Sequence, residues 1–322
     1  MESLEQKQEF SKNKLNEITQ KIKNCEIFSP EQQKNLCIYT TGSFARLEAI
    51  ETSDLDIFII GKNTQQYQFG KIDEIQIFSE LIKINKELGF PEFSNDGEFL
   101  KIFKYDEVKK IIGSPSDDHH NWFTARMLLI LESKCIYNHE KYNEFIKNII
   151  QFYLRDNKHG NFKSYFLLND ILRFWRTLCL NYEVSRTNDS KKWGQKNISL
   201  KFSRRLTVFA TIIYIFVFNI HSESELVEMI QKTPWERLQE SIDKLNDSDI
   251  NKNYKLFKDE YINFLHLKEK HGKMNLIHDE LKMNLIHDEL EELGASKTFK
   301  QLISNILLHE SIDEDLKLFL IS

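Results

Sequence analysis

Asp54 and Asp56, one residue apart and followed by the apolar run Ile57-Phe58-Ile59-Ile60, are the side chains of this sequence best placed to do chemistry. In an extended segment alternate side chains share a face, so the two carboxylates converge at the beginning of a strand. Bare carboxylates that close raise each other's pKa unless a cation lies between them. Mg²⁺ or Mn²⁺ fits such a pair, because these ions favour oxygen ligands and share them with substrate phosphates. Upstream, Gly42-Ser43 follows a second apolar run, Leu36 to Tyr39. A glycine lets backbone approach a phosphate, and the Ser43 hydroxyl with the N–H groups of a helix start can hold it. Phosphate and divalent ions meeting in one place is the chemistry of metal-assisted nucleotidyl transfer.

The stretch Gly42-Ser-Phe-Ala-Arg46 with Ser53-Asp-Leu-Asp56 resembles the DNA polymerase β nucleotidyltransferase superfamily, whose motif is Gly-Ser followed by Asp-x-Asp on the next strand. Within it the residues are most similar to the bacterial branch containing the uridylyltransferase domain of the nitrogen-signalling enzyme and its stand-alone relatives. The resemblance implies two divalent ions on Asp54 and Asp56, the β- and γ-phosphates of a nucleoside triphosphate on Gly42 and Ser43, and Arg46 among the nucleotide-binding residues. It also implies a third carboxylate on a later strand. Glu98, in the expected strand Glu98 to Phe103, would serve as ligand or as the base for the acceptor's proton. Asp96, in the turn before it, is the alternative, and Glu98 as an ordinary exposed strand residue stays open.

Several elements must position these groups. Lys71 to Leu88 carries apolar residues near helical spacing and ends at Gly89, giving strand, helix start, strand, helix, strand. The loop Gly113 to His120 holds Asp117, Asp118, His119 and His120. One of the aspartates is expected to cap the helix that starts near Asn121. Arg126 on that helix would reach a phosphate or pair with a carboxylate. Beyond Tyr137 the pattern turns helical, so the expected class is α+β: a small α/β nucleotidyltransferase domain with a mixed sheet over residues 1–137, then a helical domain over 138–322. In the second part Asn169, Arg173 and Arg176 share a helix with Trp175, and Lys191, Lys192, Lys196, Lys201, Arg204 and Arg205 follow. Facing the Asp pair across a cleft, Arg173, Arg176, Lys196 and Arg204 would bind a triphosphate or a nucleic-acid backbone. A solvated face, or a buried Asp170–Arg173 pair, is the structural alternative.

With 49 acidic against 44 basic residues, bulk attraction to long DNA is no starting assumption, and any nucleic-acid contact must be local. Leu206 to Ile220 is strongly apolar but shorter than the roughly twenty residues a bilayer crossing needs, so it reads as a core helix. The charged opening, Met1 to Asn24, lacks the pattern of a secretory signal, and a cytoplasmic protein without membrane contact is expected. Cys25, Cys37, Cys135 and Cys179 have no paired spacing and read as reduced thiols. Lys273 to Leu281 is repeated identically as Lys282 to Leu290, the mark of a tandem duplication on a helix. The expected reaction moves a nucleoside monophosphate from an NTP or dNTP to a hydroxyl. Three acceptors fit: a nucleotide or oligonucleotide end, a protein side chain, or a small molecule. The resemblance admits a bacterial defence setting. The rival reading is a catalytically inactive nucleotide-binding or partner-neutralising module. Neither the oligomeric state nor the base is legible.

Overall fold

The computed structural model describes residues 3–25, 28–93, 97, 100–119, 121–154, 164–188, 197–272 and 295–321. The chain forms two compact units, Leu4–Phe152 and Tyr153–Ser322, the latter joined by Met1–Ser3. The division falls inside a helix, later than the change of pattern after Tyr137.

The first unit is built on a mixed four-stranded sheet of order β3-β2-β1-β4. Strand β1 (Leu36–Thr40) pairs antiparallel with β2 (Ile57–Gly61), Tyr39 opposite Phe58, and on its other side with β4 (Lys134–Tyr137). Strand β3 (Ile102–Lys104) runs parallel to β2, with Ile59 opposite Ile102. The helices of this unit are α1 (Leu4–Asn24), α2 (Pro30–Asn35), α3 (Gly42–Ala45), α4 (Lys71–Glu87), α5 (Tyr105–Ile111), α6 (Pro115–His119), α7 (Trp122–Leu131) and most of α8 (His139–Leu154).

Strand alternation sorts the sheet into two faces. On one, Leu36, Ile38, Ile57, Ile59, Ile102 and Ile136 pack with Ile18 and Ile22 of α1 and with Ile77, Leu81 and Ile84 of α4. On the other, Tyr39 stacks on Phe58, Phe58 meets Phe103, and Phe103 meets Trp122 of α7 edge to face. Tyr142 of α8 packs against Tyr39, whose hydroxyl donates to the Ala125 carbonyl of α7. Burial pushes that hydroxyl well above the usual tyrosine range, so it remains a neutral donor fixing α7 to the sheet. Helix α1 is tied to the loop after α3 by Ser11, whose Oγ donates to the Lys7 carbonyl and accepts from the Ala49 N–H.

The second unit is helical: α9 (Tyr165–Asn188), a π-helical turn at Leu200–Arg204, α10 (Arg205–Phe218), α11 (Glu223–Gln231), α12 (Pro234–Leu245), α13 (Ser248–Gly272), α14 (Ala295–Leu308) and α15 (Glu314–Ile321). The apolar run from Leu206 is the buried helix α10, packed on α12, whose Arg237 donates to Thr211 Oγ1 and to the Met229 carbonyl. Among the described residues no helix is long and apolar enough to cross a membrane. The tandem repeat and the loop holding Lys191, Lys192 and Trp193 lie outside the described residues.

Candidate active site

The link between β1 and β2 builds the site. At the end of β1 the chain turns through Gly42, whose φ of +69° lies in the left-handed region, and enters the single-turn helix α3. No side chain caps that helix start. After α3, the Glu48 N–H donates to the Ser43 carbonyl, and Ser53 closes the next turn by accepting from Ile50 N–H through Oγ and donating its own N–H to the Ile50 carbonyl. The chain then runs extended from Asp54 into β2. Strand β2 begins at Ile57, the first residue of the apolar run, and just before it the Asp56 carbonyl accepts from the Thr41 N–H at 3.0 Å and from Thr40 Oγ1 at 2.7 Å. Those two bonds lock the Asp56 backbone to the Gly42 turn.

Leu55 and Ile57 are buried in the α1/α4 core, which turns Asp54 and Asp56 to the opposite face, where both are partly exposed. Asp56 sits directly over Gly42: a Cβ built there would lie 2.6 Å from Asp56 Oδ2. The glycine is therefore required twice, by its left-handed backbone and by the carboxylate above it. Ser43 is 8 % exposed, and among the described residues nothing takes its hydroxyl. Two carboxylates beside an uncapped turn suit a hard divalent cation that keeps open positions for phosphate oxygens. Among the described residues no cluster of three His, Cys, Asp or Glu side chains converges.

The remaining expected site residues fall in different places. Glu98, Asp96 and Lys196 lie outside the described residues. Ile102 occupies the core face, whereas Phe103, beside Phe58, occupies the face of the Asp pair, with Lys101 Nζ 4.8 Å from its ring centroid. Phe103 is itself buried between Phe58 and Trp122. Arg46 is turned into the protein. It is 5 % exposed, its Nε donates to Glu48 at 2.6 Å and its Nη1 to Glu132 at 2.7 Å, so the guanidinium is held inside the protein by two carboxylates. Arg126 and Asp117 take the pairing alternative: both are buried, and they form a bidentate pair with two bonds of 2.8 Å. Asp117 therefore does not cap α7, which starts from Asn121 in a left-handed conformation without a side-chain cap.

In the second unit Arg173 Nη2 lies 3.3 Å from Asp170, which also accepts from the Tyr153 hydroxyl, so the structural alternative for that pair is present. Arg176 is exposed on α9, and Arg204 ends the π-helical turn before α10. Sequence reasoning missed Glu48 and Glu132 as the groups that neutralise Arg46. Glu48 lies close enough to have been weighed, but Glu132 is 86 residues away and only the fold brings it near.

Residues 22–120 match the family model of the nucleotidyltransferase domain. That span contains Gly42, Ser43, Asp54, Asp56 and strands β1 to β3, and it supports the polymerase β-like superfamily for this part of the chain. No curated protein matches the chain.

Proposed function

We propose, from a nucleotidyltransferase domain over residues 22–120 and the geometry of its turn, that the protein transfers a nucleoside monophosphate from an NTP or dNTP to a hydroxyl. The observation that carries the reading is the Asp56 carboxylate seated on Gly42, which brings a cation-binding group onto the left-handed turn that leads into α3. In the reaction the acceptor oxygen forms a bond to the α-phosphorus as the bond to the pyrophosphate oxygen breaks on the opposite side, and pyrophosphate leaves. Divalent ions held by Asp54 and Asp56 would, when bound, neutralise the triphosphate and lower the acceptor hydroxyl's pKa.

The chain's own contributions are positional. Gly42 and the start of α3 receive phosphate oxygens on backbone N–H groups, with the Ser43 hydroxyl beside them. Thr40 and Thr41 hold the Asp56 backbone against that turn, which keeps the root of the carboxylate beside the phosphate seat. Glu98 or Asp96 completes the carboxylate set or accepts the acceptor's proton. Arg173, Lys196 and Arg204 are proposed contacts for triphosphate or acceptor on the sequence argument alone. The acceptor is a nucleotide or oligonucleotide end or a protein side chain, in line with the resemblance to the uridylyltransferase branch, and a role in bacterial defence fits the same resemblance.

A second reading, a nucleotide-binding module without turnover, rests on the pair Asp54 and Asp56 having no third carboxylate beside it among the described residues. One experiment separates the two. The full chain is incubated with each α-labelled NTP and dNTP, with Mg²⁺ or Mn²⁺, beside the Asp54→Ala/Asp56→Ala variant. Label in protein, oligonucleotide or a small product with wild type only supports transfer. Metal-dependent nucleotide binding with no label in any acceptor supports the module, and equal labelling by the variant refutes the assigned site.

A further inference from the structure

A groove of about 510 Å³ opens on the second unit between α9, α10 and α14. Its size falls in the range of small-molecule sites, roughly 300–1,000 Å³. One wall is aromatic: Trp175 of α9 meets Phe209 of α10 edge to face, with centroids 5.4 Å apart. The facing wall comes from α14, where Lys300, Ile303, Ser304 and Leu307 follow helical spacing and so share one side. Two cations line the space, Lys300 and Arg205, and Arg205 lies 5.9 Å from the Trp175 ring centroid. Arg205 stands on α10 one turn before Phe209, which carries its charge toward the aromatic wall. Burial lowers its pKa from the usual arginine value, yet a guanidinium starting so high stays charged at neutral pH, and partial desolvation strengthens its pull on an anion. Among the described residues no acidic side chain lines the groove.

We infer that this groove binds an aromatic ring joined to a phosphate, the chemistry of a nucleotide unit, with the ring against Trp175 and Phe209 and the phosphate on Arg205 and Lys300. An aliphatic anion would not use the aromatic wall, and a neutral ring would not use the positive charge of Lys300 and Arg205. Ser304 adds a hydroxyl on the cationic side's helix for a sugar or phosphate oxygen. The source is either a free mononucleotide or a residue of a nucleic-acid strand. The inference does not rest on nucleotidyl transfer, since every lining group belongs to the helical unit.

The test is equilibrium dialysis of the full chain in EDTA, which removes binding that depends on a divalent ion. Labelled uridine and adenosine monophosphates are compared with their nucleosides, with inorganic phosphate and with a short single-stranded oligonucleotide. Mononucleotide or oligonucleotide should bind saturably, nucleoside and phosphate each about tenfold or more weakly, the tighter of the first two naming the source. Lys300→Glu, on an exposed helix face, and Trp175→Ala should each weaken binding about tenfold, with Asp54→Ala/Asp56→Ala leaving it unchanged. Circular dichroism melts confirm that the variants fold. Absence of saturable binding up to about 1 mM, or binding indifferent to both Lys300→Glu and Trp175→Ala, overturns the assignment.

Discussion

Gly42→Ala separates the stability role of the glycine from its role in the site. At φ +69° an alanine costs about 1–2 kcal/mol for the left-handed conformation alone. Its Cβ would also lie 2.6 Å from Asp56 Oδ2, well inside van der Waals contact. The atom it meets is the end of a rotatable carboxylate, so the collision resolves by swinging Asp56 aside, at little cost to folding. It does so at the expense of the one geometry that chemistry needs, and a misplacement of about 1 Å at a reacting centre costs on the order of 10²-fold in rate. Gly89 provides the control: its φ is +72°, and an added Cβ meets nothing within 4 Å. Both variants should therefore lose about 1–2 kcal/mol in urea melts. Only Gly42→Ala should lose about 100-fold in label transfer from an α-labelled triphosphate and lose metal-dependent nucleotide binding in parallel. If Gly42→Ala and Gly89→Ala kept equal activity, the pairing of Asp56 with the turn would have no functional meaning.

Breaking the buried Asp117–Arg126 pair with Arg126→Met should cost about 3–5 kcal/mol by chemical denaturation, and the Asp117→Leu/Arg126→Met double variant should recover a large part of that. Arg46→Lys should lower the melting temperature of the full chain, since a single ammonium cannot reproduce separate bonds to Glu48 and Glu132. Any residual transfer should keep its apparent KM for the triphosphate, and a rise in KM with stability intact would restore Arg46 to the nucleotide. Asp73 caps α4: although burial acts to raise its pKa, hydrogen bonds from Tyr67, the Gly70 N–H and Gln32 outweigh it and hold the carboxyl below the ordinary aspartate value. A depressed carboxyl stabilises above its unfolded pKa and loses that stabilisation as pH falls through the folded value. Asp73→Asn should cost about 1 kcal/mol at pH 7, and melts taken down an acid series should show the gap to wild type closing; a gap that held constant would refute the linkage.

The spacing of Gly42, Ser43, Asp54 and Asp56 was legible because every step between them is local: a turn, a short helix and one strand. The fold class and helix α4 were legible for the same reason, the helix ending at Glu87 with Leu88 as its C-cap and Gly89 beyond it. Strand β4 was not, since Lys134–Tyr137 is four residues long and gains its identity only by pairing with β1. Arg46 illustrates the general limit. Its position in the motif pointed outward to a nucleotide, but whether an arginine faces ligand or core depends on partners distant in sequence, and Glu132 is one. Asp117 erred in the same direction: its residue type favours a helix cap, and a buried guanidinium nine positions along claimed it instead.

The central place of β1 bears on how this protein is made. Its partner β2 leaves the ribosome soon after it, but Cys135 of β4, opposite Tyr39, comes nearly a hundred positions later. At roughly 5–20 residues per second, the nascent chain carries its Gly-Ser and Asp-Leu-Asp segments for about 5–20 s with one edge of β1 bare. That edge belongs to Leu36-Cys37-Ile38-Tyr39, an apolar strand of the kind that templates association with a neighbouring chain. A gene fragment trimmed to the matched span would make the interval permanent, removing β4 together with the Glu132 that neutralises Arg46. An expression unit carrying the Gly42 turn must therefore run through β4.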